Sequence, residues 1–251
     1  MNRDSSVVFE EAANITFVPT ASPKLVLLPG MDGTGELLDS FVRALPRSFT
    51  TQIVRYPPNR YLASTELFHL LDSTVFGSGP FVLIAESFSS PLAFQWAATN
   101  PANLKGLIIC AGFTTSPIRG ALRSIFRLLS PFCFLVTPPA SAIKLLLVGR
   151  DASPSLVAAV RSAISSVRPE VLSCRLRMVL TCDARSELNK VAVPMLFIQP
   201  KNDRLIGLDR LEEMKQIKPG VEIEIVAGPH LLLLREPEMA AEVVARFVRQ
   251  C

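Results

Sequence analysis

Three short runs, 24–28, 81–85 and 107–111, are apolar almost without interruption. A strand open to water on one face alternates polar with apolar residues, whereas a strand covered on both faces does not. Five residues are too few for a stable helix, so these runs are expected to be strands buried on both sides. Between them the spacing changes to that of helices. Residues 36–45 place Leu37, Leu38, Phe41, Val42 and Leu45 on one face and stop at Pro46. Residues 65–71 and 89–100 repeat the helical pattern, the latter closed by Asn100-Pro101. Residues 50–56 read as a further strand. Strands that alternate with helices imply an α/β fold, a mostly parallel central sheet flanked by helices.

The rhythm fails after Gly112. Residues 113–182 contain no convincing strand and look like helices separated by prolines. It resumes with a strand at 193–198, a helix at 208–217, a strand at 221–226 and an amphipathic helix at 237–248. The expected organisation is therefore a core made of 1–112 and 183–251, with 113–182 inserted as a helical cap. The insertion carries nine Lys or Arg against two acids, Asp151 and Glu170, a net of +7. The whole chain is +4, so the remainder is −3. Arg119, Arg123 and Arg127 recur every four residues and share a helix face. Leu122, Ile125, Phe126 and Leu129 face elsewhere, and an apolar stretch through Phe132 follows. The expectation is a lid with its apolar side over an acyl pocket and its basic side available for weak contact with anionic lipid.

A net charge of +4 on 251 residues is too small to suggest a nucleic-acid partner. Five scattered cysteines without a CxxC pair suggest neither a disulfide framework nor a zinc site. Residues 1–6 lack a basic-then-apolar leader pattern. Residues 128–143 are interrupted by Pro131, Pro138 and Pro139 and fall short of the ~20 residues of a spanning helix. A cytoplasmic location is the resulting expectation, and neither metal nor cofactor is implied. Oligomeric state is not legible.

Ser87 stands where the run 81–85 meets a helix, in Ala85-Glu86-Ser87-Phe88-Ser89. A tight strand-to-helix turn lifts such a hydroxyl out of the sheet and aims the next amide into the same space. Small residues are needed two places before and after, because strand and helix approach closely there. The pattern G-x-S-x-G meets that need with glycine; here Ala85 and Ser89 meet it.

With Leu27-Leu28-Pro29-Gly30-Met31-Asp32-Gly33-Thr34-Gly35 and Gly228-Pro229-His230, this block resembles the α/β-hydrolase superfamily from about residue 24 to 248, and within it a bacterial serine esterase-like branch. The first block also resembles a segment of plant esterase- and thioesterase-type acyltransferases. The resemblance implies the order nucleophile, acid, histidine. Of the two histidines only His230 follows Ser87; His69 reads as a partly buried helix residue. The acid is expected after the strand that follows the insertion, where Asp203 lies, with Asp209 (read as a helix N-cap) and Asp183 as rivals. The oxyanion donors are expected to be the amides of Phe88 and, by resemblance, Met31, each worth roughly 3 kcal/mol. Gly30 and Asp32, in the same loop, and Phe113 and Phe132, in the insertion, are the candidate substrate contacts. The implied activity is hydrolysis of a carboxylic ester through an acyl-enzyme, and the apolar insertion suggests an aliphatic acyl group of a length the sequence leaves open. Acyl transfer or thioester cleavage by the same residues, or a non-catalytic binding protein on the same scaffold, are the alternatives.

Overall fold

The computed structural model describes residues 23–251. Residues 1–22, with the leader reading at 1–6 and the start of the 1–112 assignment, lie outside it. Among the described residues six parallel strands form one sheet in the order β2-β1-β3-β4-β5-β6: β1 (Lys24–Leu28), β2 (Thr51–Ile53), β3 (Phe81–Glu86), β4 (Leu104–Cys110), β5 (Met195–Pro200) and β6 (Glu222–Val226). Every neighbouring pair is parallel. β3 and β5 are buried throughout, as the apolar runs Phe81–Ala85 and Met195–Ile198 require, and the burial extends to Glu86 and Gln199 at their carboxyl ends.

Alternate side chains of each strand enter separate cores. Val26, Leu28, Leu83 and Ala85 pack beneath α2 (Ser64–Val75), α3 (Ser90–Ala97), α8 (Arg185–Lys190) and α9 (Leu208–Ile217). Leu25, Leu27, Val82 and Ile84 pack beneath α1 (Asp39–Ala44) and α11 (Pro237–Val248). Two long, fully covered faces explain why the apolar runs were so continuous.

The chain leaves β1 toward β2 and returns on the other side of β1 with β3. That reversal opens a crevice at the carboxyl ends of β1 and β3, where α/β sheets place ligands. The loop after β1 and the turn after β3 meet there.

Between β4 and β5 the chain forms helices: α4 (Gly120–Leu129), α5 (Ala140–Ile143), which continues as a wide turn over Lys144–Val148, α6 (Pro154–Ser165) and α7 (Pro169–Thr181). Pro154 and Pro169 open their helices, where the missing N–H costs nothing, and Ser153 Oγ caps α6 by accepting from Leu156 N at 3.2 Å. A small cluster of Ile143, Val148, Val157 and Val160 packs with Leu37 and Leu231 and seats this cap on the core.

Some expectations are corrected. The strand read over 50–56 is only three residues long, because this edge strand lacks a neighbour on one side. The helix read over 89–100 starts as a tight turn at Ser87–Ser89 and ends at Ala97. His69 is exposed rather than partly buried. Asp209 lies inside α9, whose N-cap is Gly207, and pairs with Arg210 at 2.8 Å. The short helices α8 and α10 (Leu232–Arg235) were not anticipated. No helix among the described residues is long and apolar enough to cross a membrane.

Candidate active site

Ser87 sits at the end of β3 with φ of 48°. A side chain in this left-handed region costs roughly 1–2 kcal/mol, and the sharp turn it makes carries the hydroxyl above the sheet. Ala85 and Ser89 are fully buried around the turn, which is the close approach inferred from their size. Ser89 does more than fit. Its hydroxyl donates to the Pro29 carbonyl at 2.5 Å and lies 2.7 Å from the Tyr56 hydroxyl. The turn is thereby tied to the loop after β1.

His230 follows β6. Its Nε2 lies 2.9 Å from Ser87 Oγ and its Nδ1 lies 2.8 Å from Asp203 Oδ2. With the proton on Nδ1 donated to Asp203, the Nε2 lone pair faces the serine hydroxyl. Asp203, after β5, has a fully buried side chain. Its Oδ1 accepts from Leu205 N at 2.8 Å and Ile206 N at 2.9 Å, so both oxygens are occupied. Two backbone bonds lash the acid and histidine loops together, Lys201 N to Val226 O at 2.8 Å and Asn202 N to Gly228 O at 2.9 Å. The cap reaches the same loop through Leu231 N to Leu147 O at 2.9 Å. Asp183, the rival acid, is exposed and bound to Arg185.

Burial of His230 disfavours the imidazolium. The Asp203 charge and hydrogen bond, with the Glu86 charge behind them, outweigh that penalty and hold its pKa above the usual histidine value. Glu86, directly before the serine, is buried, and burial pushes its carboxyl up to about 7. His230 and a Gly30 backbone hydrogen bond oppose the rise, whereas Asp32 adds to it.

The loop after β1 turns tightly, with Gly33 N donating to Gly30 O at 3.1 Å. Asp32 Oδ1 accepts from Thr34 N at 2.9 Å and from its hydroxyl at 2.5 Å, so this carboxylate is engaged in shaping the loop. Gly33 has φ of 71°, and a Cβ there would come within 2.9 Å of Tyr56 and 2.6 Å of Arg175. Arg175 is the unanticipated member of the site. It projects from α7, is only 4% exposed, and donates to Met31 O at 3.0 Å, Asp32 O at 2.6 Å and Pro57 O at 3.0 Å. Its guanidinium lies 5.6 Å from the Tyr56 ring centre. The sequence read the basic residues of the insertion as an outward face. The apolar neighbours Val171, Leu172, Met178 and Val179, three or four places away, were the signal that this arginine points inward.

An apolar cavity of about 270 Å³ opens on Ser87. Gly30, Met31, Asp32, Phe88, Phe113 and His230 line it, and Ile164, Leu172 and Leu176 from α6 and α7 cover it. Phe132 does not line it and is 65% exposed; Phe134, two residues further along the same turn, does. The expected apolar cover from α4 is also corrected: only Pro117 and Ile118, just before that helix, reach the cavity. Among the described residues no group of His, Cys, Asp and Glu is arranged to hold a metal ion.

No protein-family model matches the sequence, and no curated protein matches it. Solved structures do. A hydrolase from Oleispira antarctica is similar with a TM-score of 0.78 at 13% identity, covering 91% of this chain and 92% of that one. A thermophilic esterase from Thermogutta terrifontis gives 0.74 at 19% identity, covering 91% and 90%. A lipase-esterase related protein from Clostridium acetobutylicum gives 0.74 at 13% identity, covering 90% and 95%. At these identities the likeness concerns the fold, and the chain has the α/β-hydrolase fold with a helical insertion between β4 and β5.

Proposed function

We propose that the protein is a serine hydrolase that cleaves carboxylic esters of aliphatic acids through an acyl-enzyme. The observation that carries this reading is the unbroken line Ser87 Oγ, His230, Asp203, with contacts of 2.9 and 2.8 Å, at the mouth of an apolar cavity.

His230 Nε2 takes the hydroxyl proton as Ser87 Oγ attacks the ester carbonyl carbon. Asp203 holds the ring and stabilises the imidazolium. The carbonyl oxygen becomes an oxyanion facing the amides of Met31 and Phe88; among the described residues the Met31 N–H meets no acceptor. The imidazolium then gives its proton to the leaving alcohol, and the acyl group remains on Ser87. Water, deprotonated by the same histidine, releases the acid and restores the serine. The Ile164, Leu172 and Leu176 side chains offer the acyl chain an apolar bed. At about 270 Å³ the cavity is at the small end of ligand sites, which favours short to medium chains over long ones.

The same apolar lining supports a second reading, acyl transfer, in which an alcohol replaces water in deacylation. One plate of p-nitrophenyl esters of graded chain length, with and without an added alcohol, tests both. Turnover that Ser87→Ala abolishes supports the hydrolase. A new ester formed from the added alcohol supports the transferase. The absence of any turnover across the series refutes the reading.

A further inference from the structure

We propose that α4 and the segment after it, through Val136, form a docking surface for an anionic lipid bilayer. Arg119 and Arg123 tether α4 to the molecule while remaining exposed. Arg123 Nε donates to the Leu180 carbonyl at 2.5 Å, and Arg119 Nη2 lies 3.3 Å from Asp209 Oδ2. At 100° per residue this turns Ile125, Leu128 and Leu129 outward. No residue of α4 is buried. Of the fifteen large apolar side chains exposed among the described residues, eight fall between Leu122 and Val136. Leu128 is 77% exposed, Leu135 62% and Val136 78%. Single exposed apolar residues are ordinary, but a contiguous group of this density marks a contact surface.

Charge selects the occupant. The patch belongs to the segment that carries +7 in a chain otherwise at −3. A second copy docking on the same face would set +7 against +7. A bilayer with acidic headgroups offers both an apolar layer for the leucines and anions for the arginines at its edge. The position also fits the site. Pro117 and Ile118 directly precede α4, Phe134 lies within the exposed stretch, and all three line the cavity above Ser87. Docking would set the cavity mouth against the lipid, so that the acyl ester enters from the membrane. That last step rests on the serine-hydrolase reading; the docking itself does not.

The test is flotation of the full chain carrying Ser87→Ala, which leaves the lipid intact, with phosphatidylcholine vesicles and with vesicles in which about a third of the lipid is phosphatidylserine. The expected result is flotation with the anionic vesicles, about tenfold or more weaker with the neutral ones and weakened by high salt. The triple change Leu128→Gln, Leu135→Gln and Val136→Gln is expected to lower the anionic binding about tenfold or more. In the Ser87 background the same triple change should leave hydrolysis of a short, water-soluble ester unchanged. No flotation with anionic vesicles, or flotation indifferent to the triple change, overturns the proposal. So does light scattering that shows a dimer dissolved by the triple change. Loss of the serine-hydrolase reading would appear separately, as missing ester turnover with flotation intact.

Discussion

Replacing Arg175 with methionine keeps most of the aliphatic stem and removes the guanidinium that joins α7 to the loop carrying Met31. Three carbonyl oxygens, of Met31, Asp32 and Pro57, lose their donor at 2.6–3.0 Å, and the stacking on Tyr56 is lost. Hydrogen bonds to a charged donor contribute about 1.5–3 kcal/mol each, and the cation–π contact about 1. Part of this sum is offset because the methionine side chain no longer carries the desolvation cost of a buried cation. A net destabilisation of about 3 kcal/mol remains, which for a chain of this length lowers Tm by roughly 6–12 °C. Activity should suffer by a different route. In the proposed mechanism a loosened loop no longer holds the Met31 amide at the oxyanion, and losing one such donor costs up to about 10²–10³ in kcat. For a loop displaced rather than deleted, a fall of about tenfold to a hundredfold in kcat is expected, with KM nearly unchanged. Calorimetry and steady-state hydrolysis of one short ester measure both. Arg175→Lys, which retains a cation but one donor point instead of a fork, should fall between. A variant with a lowered Tm and an unaltered kcat would refute the link between Arg175 and the oxyanion loop.

His230 must be neutral to accept the serine proton, so kcat/KM should fall on the acid side through a pKa above the ordinary ~6.5. Glu86→Gln removes one of the charges that raise it and should move that limb to lower pH; an unmoved limb in the pH–rate profile would contradict the coupling. The stability sign is the same for both groups. Each has a folded pKa above its unfolded value, His230 above ~6.5 and Glu86 about 7 against 4.5, so each contributes stability at low pH that is lost as pH rises through the folded value. Denaturant midpoints should therefore decline between about pH 5 and 8 from these two sources, and less steeply in Glu86→Gln. Ile164→Trp fills the cavity from α6 and should shift the preferred p-nitrophenyl ester to a shorter acyl chain. An unchanged preference would place the acyl chain elsewhere.

Much of this was legible in the sequence because its signals are strong and local. β1, β3 and β4 announce themselves by apolar runs that only a two-sided burial explains. Ser87, Asp203 and His230 were picked out by the order that the α/β-hydrolase resemblance implies, and the structure brings the three side chains into one hydrogen-bonded line. The weaker signals are those that depend on partners distant in sequence. β2 is short because it is an edge strand, and its preceding residues, 46–50, give no hint of that. Phe132 and Phe134 are indistinguishable in an apolar run without a fixed helical phase, so the residue facing the cavity could not be chosen. Arg175 read as one more surface cation among nine, and its burial depends on carbonyls 118 to 144 residues earlier in the chain. The arginine row of α4 was visible as a face, but not that Arg119 and Arg123, while exposed, would tie the helix to Asp209 and the Leu180 carbonyl. In an ordinary amphipathic helix the apolar side packs and the charged side is solvated; here both sides of α4 are exposed, and its tie to the body includes Arg119 and Arg123.

The central claim is that Ser87 is the nucleophile, and fluorophosphonate labelling tests it most directly. The reagent reacts with a serine only where a neighbouring base activates it. The account predicts one adduct per chain, located on Ser87 by peptide mass spectrometry, absent in Ser87→Ala and strongly slowed in His230→Ala. An unlabelled wild-type chain, or an adduct on another residue that survives Ser87→Ala, would contradict it.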